Sequence, residues 1–102
     1  MRKRYYSDYV RHMVRFYNSR KSEPTPPNDL NFKICEKVFK RYDGNVETIM
    51  CEFCTNDLNL SDNEFVDYIC DKLTVSPVEV WRTIRQLERE IASERGLLND
   101  TE

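Results

Sequence analysis

Two glycines, Gly44 and Gly96, are all that this 102-residue chain contains. Sheet proteins of such size turn often and lean on glycine at positive φ, so the scarcity points to helices. It also excludes a glycine-rich phosphate loop. Histidine is scarcer still: His12 stands alone, with no Ser, Cys or carboxylate set around it that the sequence identifies. Carboxylates such as Asp57 and Asp62 fall in turns and caps, where a local backbone role accounts for them. The chain is therefore read as a non-enzyme that needs no cofactor.

Long apolar runs are missing too. No stretch approaches the ~20 residues of a membrane span. The basic start, Met1-Arg2-Lys3-Arg4, leads into a Tyr-rich amphipathic stretch rather than an apolar signal core. These features read as a cytoplasmic protein without a membrane partner. Its four cysteines are then most simply reduced thiols. Cys51 and Cys54 form a CxxC, the one spacing compatible with zinc or redox chemistry. Cys35 and Cys70 sit in apolar stripes, where a free cysteine behaves as a small hydrophobe. No strand–helix pattern of the thioredoxin kind surrounds the CxxC. The sequence therefore assigns no metal, and metal analysis of purified protein is the check on a zinc-stabilised adaptor built on Cys51 and Cys54.

Charge is abundant and uneven. The overall balance is −2, but residues 1–41 carry +7 and residues 42–102 carry −9. Such asymmetry gives either a basic surface for nucleic acid or an acidic partner, or two halves that neutralise each other across the fold.

The pattern of apolar residues predicts an all-α fold of about five helices. The first spans about Lys3 to Ser19, with Tyr6, Val10, Met13 and Tyr17 on one face and Tyr9, Val14 and Phe16 widening it. Arg4, Arg11 and Arg15 fall roughly 140–180° from Tyr6 at ~100° per residue. A linker at 21–29, with Pro24, Pro26 and Pro27, separates residues 1–20 from a helical core at 30–102 within a single domain. The second helix spans about Leu30 to Tyr42, capped by Asn28 or Asp29 and ended by Asp43-Gly44. A third follows from Val46 to about Cys54 with Asn45 as cap.

The last two helices carry the clearest local signals. Ser61 and Glu64 form a capping box, with Leu60 and Phe65 as its hydrophobic staple. The same grammar recurs at Ser76 and Glu79, with Pro77 in the tolerant first position and Val75 and Val80 as the staple. These place helices at about 62–73 and 77–95, the second stopped by Gly96, with Leu97 or Leu98 folding back.

Two helices joined by Thr74 and Val75 have helix-turn-helix geometry. Residues 66–85, and most closely Ile69-Cys70-Asp71-Lys72-Leu73-Thr74-Val75-Ser76-Pro77-Val78-Glu79-Val80-Trp81-Arg82, resemble the DNA-binding helix-turn-helix family. They look most like the C-terminal helix-turn-helix of sigma factors and small phage regulators. Cys70 stands at the small position, Leu73, Val75 and Val80 at buried ones, and Thr74 where glycine is commonest. The segments Tyr9–Tyr17 and Ile91–Leu97 are similar to short proteins of prophages and integrative elements of Gram-positive bacteria.

The resemblance implies a transcription regulator or accessory protein of a mobile element whose partner is DNA. Arg82, Arg85 and Arg89 form a ridge on the last helix suited to phosphate or guanine. Arg4, Arg11 and Arg15, with Arg2 and Lys3, would clamp the backbone. The same ridge also fits a solvated face with Arg85 and Arg89 paired to Glu88 or Glu90. Asp62, Glu64, Asp67 and Asp71 repel phosphate from the preceding helix. They favour the alternative, a protein-interaction module whose partner is RNA polymerase or a second copy of the chain. Trp81, Tyr6 and Tyr9 are its candidate interface residues, although seven apolar or aromatic residues at helical spacing also suit a core.

Overall fold

Side-chain caps begin four of the five helices in a computed structural model that describes residues 4–98. The order is α1 (Ser7–Arg20), α2 (Leu30–Phe39), α3 (Gly44–Thr55), α4 (Asp62–Leu73) and α5 (Pro77–Arg95), with no strand among the described residues. No helix is long and apolar enough to cross a membrane.

The capping signals of α4 and α5 place both helices at the expected residues. Ser61 Oγ accepts from Glu64 N while Glu64 Oε1 accepts from Ser61 N, closing the box. Ser76 Oγ accepts from Glu79 N, and Pro77 opens the helix. At the far end Gly96 takes φ +80, and Leu97 N donates back to Ala92 O, so the glycine stop holds. The earlier boundaries shift. Asp43 does not end α2: its carboxylate caps α3 by accepting from Asn45 N and Val46 N, so α3 starts at Gly44 and Asn45 is not its cap. Helix α2 therefore stops at Phe39, ahead of the expected Tyr42. For α1 the expected start at Lys3 lies outside the described residues, and the helix begins at Ser7 with no side-chain cap.

Helices α3, α4 and α5 pack on one another as a three-helix core, and α1 lies against α2, α3 and α5. Far from being set off by its proline-rich connection, α1 fills the middle of the molecule. Val10, Met13 and Val14 are fully buried. Tyr17 stacks at 5.1 and 5.2 Å from the Phe32 and Phe39 rings of α2. The segment at 21–29 is thus a surface connection between two helices that pack together.

The connection between α4 and α5 holds one strained residue. Thr74 has φ 56 and ψ 51, the left-handed region, where a β-branched side chain crowds its own backbone. Its N–H still donates to Cys70 O, which ends α4. Replacing it by glycine removes that crowding and no described hydrogen bond of the side chain. Thr74→Gly is expected to raise stability by about 1 kcal/mol, less part of the chain entropy that glycine adds to the unfolded state. A thermal melt reads this as a midpoint about 4–8 °C higher per kcal/mol. A lower midpoint would show that Thr74 is there for a contact rather than tolerated in the turn.

Candidate nucleic-acid and partner interface

The outward stripe of α5 carries Val78, Glu79, Arg82, Gln86, Arg89 and Ser93, all exposed. Val78 is 64% exposed, an unusual placement for valine. The opposite stripe, Val80, Ile84, Leu87 and Ile91, is core, as the helical spacing predicts. Arg85 lies at the edge, half-buried and close enough to Glu88 to stabilise its charge.

Beside that stripe, toward the C-terminal end of α5, Glu90 and Glu94 form an ionic ladder with α2 and the residues just after it. Arg41 bonds Glu90 and Glu94 at 2.8 Å each, and Lys37 bonds Glu94 at 2.9 Å. Tyr42 donates to Glu90, and Gln86 donates to the Tyr42 hydroxyl at 3.0 Å. Glu90 is thereby occupied by Arg41 and Tyr42, just past the end of α2. Toward its N-terminal end α5 exposes Val78 and Arg82, with Trp81 and Arg85 half-buried beside them.

Arg11 does not belong to an outer clamp. It points inward, with its side chain only 17% exposed, between α3, α4 and α5. Its NH2 nitrogen lies 3.2 Å from Asp62 Oδ2, its Nε lies 3.7 Å from Glu88 Oε2, and its guanidinium sits 4.5 Å above the Phe53 ring. The physical reason is that α1 is packed on several sides. Ser7, Arg11 and Val14 form a second inward line, one helical turn apart, and both neighbours on that line are buried.

Glu88 is the other half of this buried contact. Its side chain is 3% exposed. Burial pushes its carboxyl above the usual range, against the pull of Arg11, a Ser7 hydrogen bond and Arg85. The Arg11–Glu88 approach is a charge contact rather than a hydrogen bond: neither Arg11 Nε nor Glu88 Oε2 has a hydrogen-bond partner.

The remaining expected residues divide. Arg4, just before α1, and Arg15 on it are exposed, while Arg2 and Lys3 lie outside the described residues. Tyr6 is 4% exposed and part of the core, which removes it from any interface. Its neighbour Tyr5 is the exposed ring, with its hydroxyl donating to Leu97 O at 3.0 Å. Tyr9 is exposed, accepts from Asn31 Nδ2 at 3.2 Å, and lies under the Arg95 guanidinium. Trp81 is half-buried, its ring edge-on to Phe53 at 6.0 Å. The helical spacing places Tyr6 on the apolar face with Val10, Met13 and Tyr17, and it is buried there, while the exposed Tyr5 carries no signal in the sequence.

Cys51 and Cys54 are buried in α3, together with Cys35 in α2. Burial pushes the Cys35 thiol up to about 12 and the Cys51 thiol up to about 11, and raises Cys54 as well. Such thiols are poor nucleophiles and poor metal ligands at neutral pH. Among the described residues no three His, Cys, Asp or Glu side chains gather as a metal would need. His12 is exposed.

Electrostatically the two helices of the motif oppose each other. Glu64, Asp67 and Asp71 are exposed along α4, and only Lys72, paired to Glu52 at 2.9 Å, offsets them there. Arg82 is exposed on α5, on the same stripe as Arg89. No family model, no curated protein and no solved structure matches the chain.

Proposed function

We propose that the chain is a DNA-binding helix-turn-helix protein, acting as a transcription regulator or accessory protein of a mobile element. It would present the N-terminal half of α5 to the major groove. The observation that carries this reading is the join between α4 and α5. Thr74 adopts the left-handed turn at the position where the resembled family favours glycine, Ser76 caps α5, and Arg82 is exposed on the outer stripe of that helix. Guanidinium at that place suits phosphate or the O6/N7 edge of guanine.

Arg4 and Arg15 remain available for phosphate contact, and Arg11 does not. With Val78 and Trp81 flanking Arg82, few groups are present to read base edges. The expected binding is thus salt-dependent and weakly sequence-selective.

Arg82→Ala is expected to weaken DNA binding and to lower the slope of log affinity against log salt by about 0.9 for one lost phosphate contact. The triple change of Arg82, Arg85 and Arg89 to Ala is expected to flatten the slope further. Titration of a labelled duplex at several salt concentrations measures both. Affinity and slope unchanged in the triple variant would reject this placement.

A second reading has its own support. The carboxylates Glu64, Asp67 and Asp71 occupy the helix that would cross the phosphate backbone. They favour a polypeptide partner, RNA polymerase or a second copy of the chain. Co-purification of that partner without nucleic acid, and no shift of mixed DNA at low salt, distinguish this reading from the first.

A further inference from the structure

A groove of about 420 Å³ lies between the end of α1, the outer side of α3 and the first turns of α4. Its floor is apolar, formed by the buried Phe65 and Cys51. Two large side chains stand at its mouth in contact with water: Leu58, 56% exposed, and Tyr68, 39% exposed.

Leu58 is held there by its loop. Asn56 takes φ 44 and Asn59 takes φ 54, both left-handed. The Asn56 side chain accepts from Leu60 N at 3.1 Å and donates to Leu60 O at 2.6 Å. A loop closed by its own amide presents a fixed leucine, so little ordering is left to do when something covers it.

The surroundings are acidic. Asp57 and Glu52 line the groove. Glu64 and Asp71 lie one helical turn to either side of Tyr68 on α4. Both lysines that reach the site are already neutralised, Lys21 by Glu47 at 3.1 Å and Lys72 by Glu52 at 2.9 Å. Glu52 Oε2 is buried without a hydrogen-bond donor. A slot with an apolar floor and the exposed carboxylates Asp57, Glu64 and Asp71 at its rim, where Glu52 alone is paired to a lysine, repels nucleic acid and matches a cationic chain with apolar anchors.

We propose that this groove docks a basic amphipathic segment of another protein. An apolar side chain of the segment enters between Leu58, Phe65 and Tyr68, and its Lys or Arg residues lie over Asp57, Glu64 and Asp71. The site lies away from Arg82 on α5, and it shares Glu64 and Asp71 with the polypeptide-partner reading, on which it rests.

The test uses the full chain and a fluorescein-labelled helical peptide of leucine and arginine, with leucines at helical spacing. Its control has glutamate in place of each arginine. Fluorescence anisotropy is expected to show binding of the basic peptide only, weakened by added salt. Leu58→Ser and Tyr68→Ala are each expected to reduce affinity by about tenfold or more, as loss of a central anchor does. Asp57→Lys with Asp71→Lys is expected to do the same with the groove's apolar part intact.

Leu58 is an exposed loop residue, so Leu58→Ser keeps the test decisive if Tyr68→Ala does not fold. No binding of the basic peptide, equal binding of the acidic one, or affinity unaffected by Leu58→Ser would overturn the proposal. Concentration-dependent dimerisation abolished by Leu58→Ser would overturn it too, since it assigns the groove to a second copy. Arg82→Ala is expected to leave peptide affinity unchanged. Failure here is thereby distinguishable from failure of the DNA reading.

Discussion

A chain reduced to residues 30–102 is expected not to fold. Five side chains of α1, Tyr6, Val10, Met13, Val14 and Tyr17, are buried against α2, α3 and α5. At about 1.5–3 kcal/mol for each fully buried side chain, they contribute roughly 10 kcal/mol. That is comparable with the whole stability of a small domain, about 5–15 kcal/mol. Removal also strips partners from α3 and α2, leaving Phe32, Phe39 and Met50 with one wall missing. Residues 30–102 alone should show reduced helical dichroism, no cooperative thermal transition and collapsed proton dispersion in solution NMR. A sharp two-state melt from that fragment would mean that α3, α4 and α5 form an independent unit and that α1 is an addition to it.

The second large effect is expected at Arg11. Truncation to Ala leaves the buried Glu88 carboxylate without its nearest cation and strips the guanidinium from the Phe53 ring. Breaking a buried pair on one side costs about 3–5 kcal/mol, mostly from the charge left behind. The sign of the pH dependence follows from Glu88. Its folded-state pKa is raised above the unfolded value, so the folded state holds that proton more tightly. The associated stability is present below the unfolded pKa and is lost as pH rises through the folded one.

Without Arg11 the pKa rises further. The deficit of Arg11→Ala relative to the parent chain should therefore be largest at neutral pH and should shrink on mild acidification. Asp62 from α4, Ser7 from α1 and Arg85 one turn earlier on α5 face the same carboxylate, so each pH point needs the parent chain as reference. Joint replacement, Arg11→Met with Glu88→Leu, should recover most of the loss, because Asp62 at the rim can be hydrated in its absence. Chemical denaturation at two pH values measures all of this. An Arg11→Ala deficit below about 1 kcal/mol at neutral pH would show that water already reaches Glu88.

What could be read from the sequence tracks how local its cause is. The limits of α4 and α5 were legible because a Ser–Glu pair, a first-turn proline and a terminal glycine act within one turn of backbone. The junction of α2 and α3 was not, because Asp43 suits either the end of one helix or the cap of the next. The choice depends on how Phe39 and Val46 are buried.

Arg11 was misplaced for a different reason. A helical wheel centred on Tyr6 assumes one buried side, and α1 has several. The small residue Ser7, one turn before Arg11, was the available hint. The burial of Tyr6 was legible in its spacing with Val10, Met13 and Tyr17, whereas nothing in the sequence marked the exposed Tyr5. The groove at Leu58 and Tyr68 could not be seen in the sequence, since its walls come from segments separated along the chain and joined only by packing.

The single indole of the molecule gives this arrangement a built-in optical reporter. Trp81 directly precedes the exposed Arg82 on α5 and leans edge-on against Phe53, the ring that carries Arg11. Its emission colour therefore senses wetting of the interior beneath the motif, while its quenching senses what arrives at the surface above. Docking at α5 and loosening of the Arg11 contact can thus be followed separately in unlabelled protein.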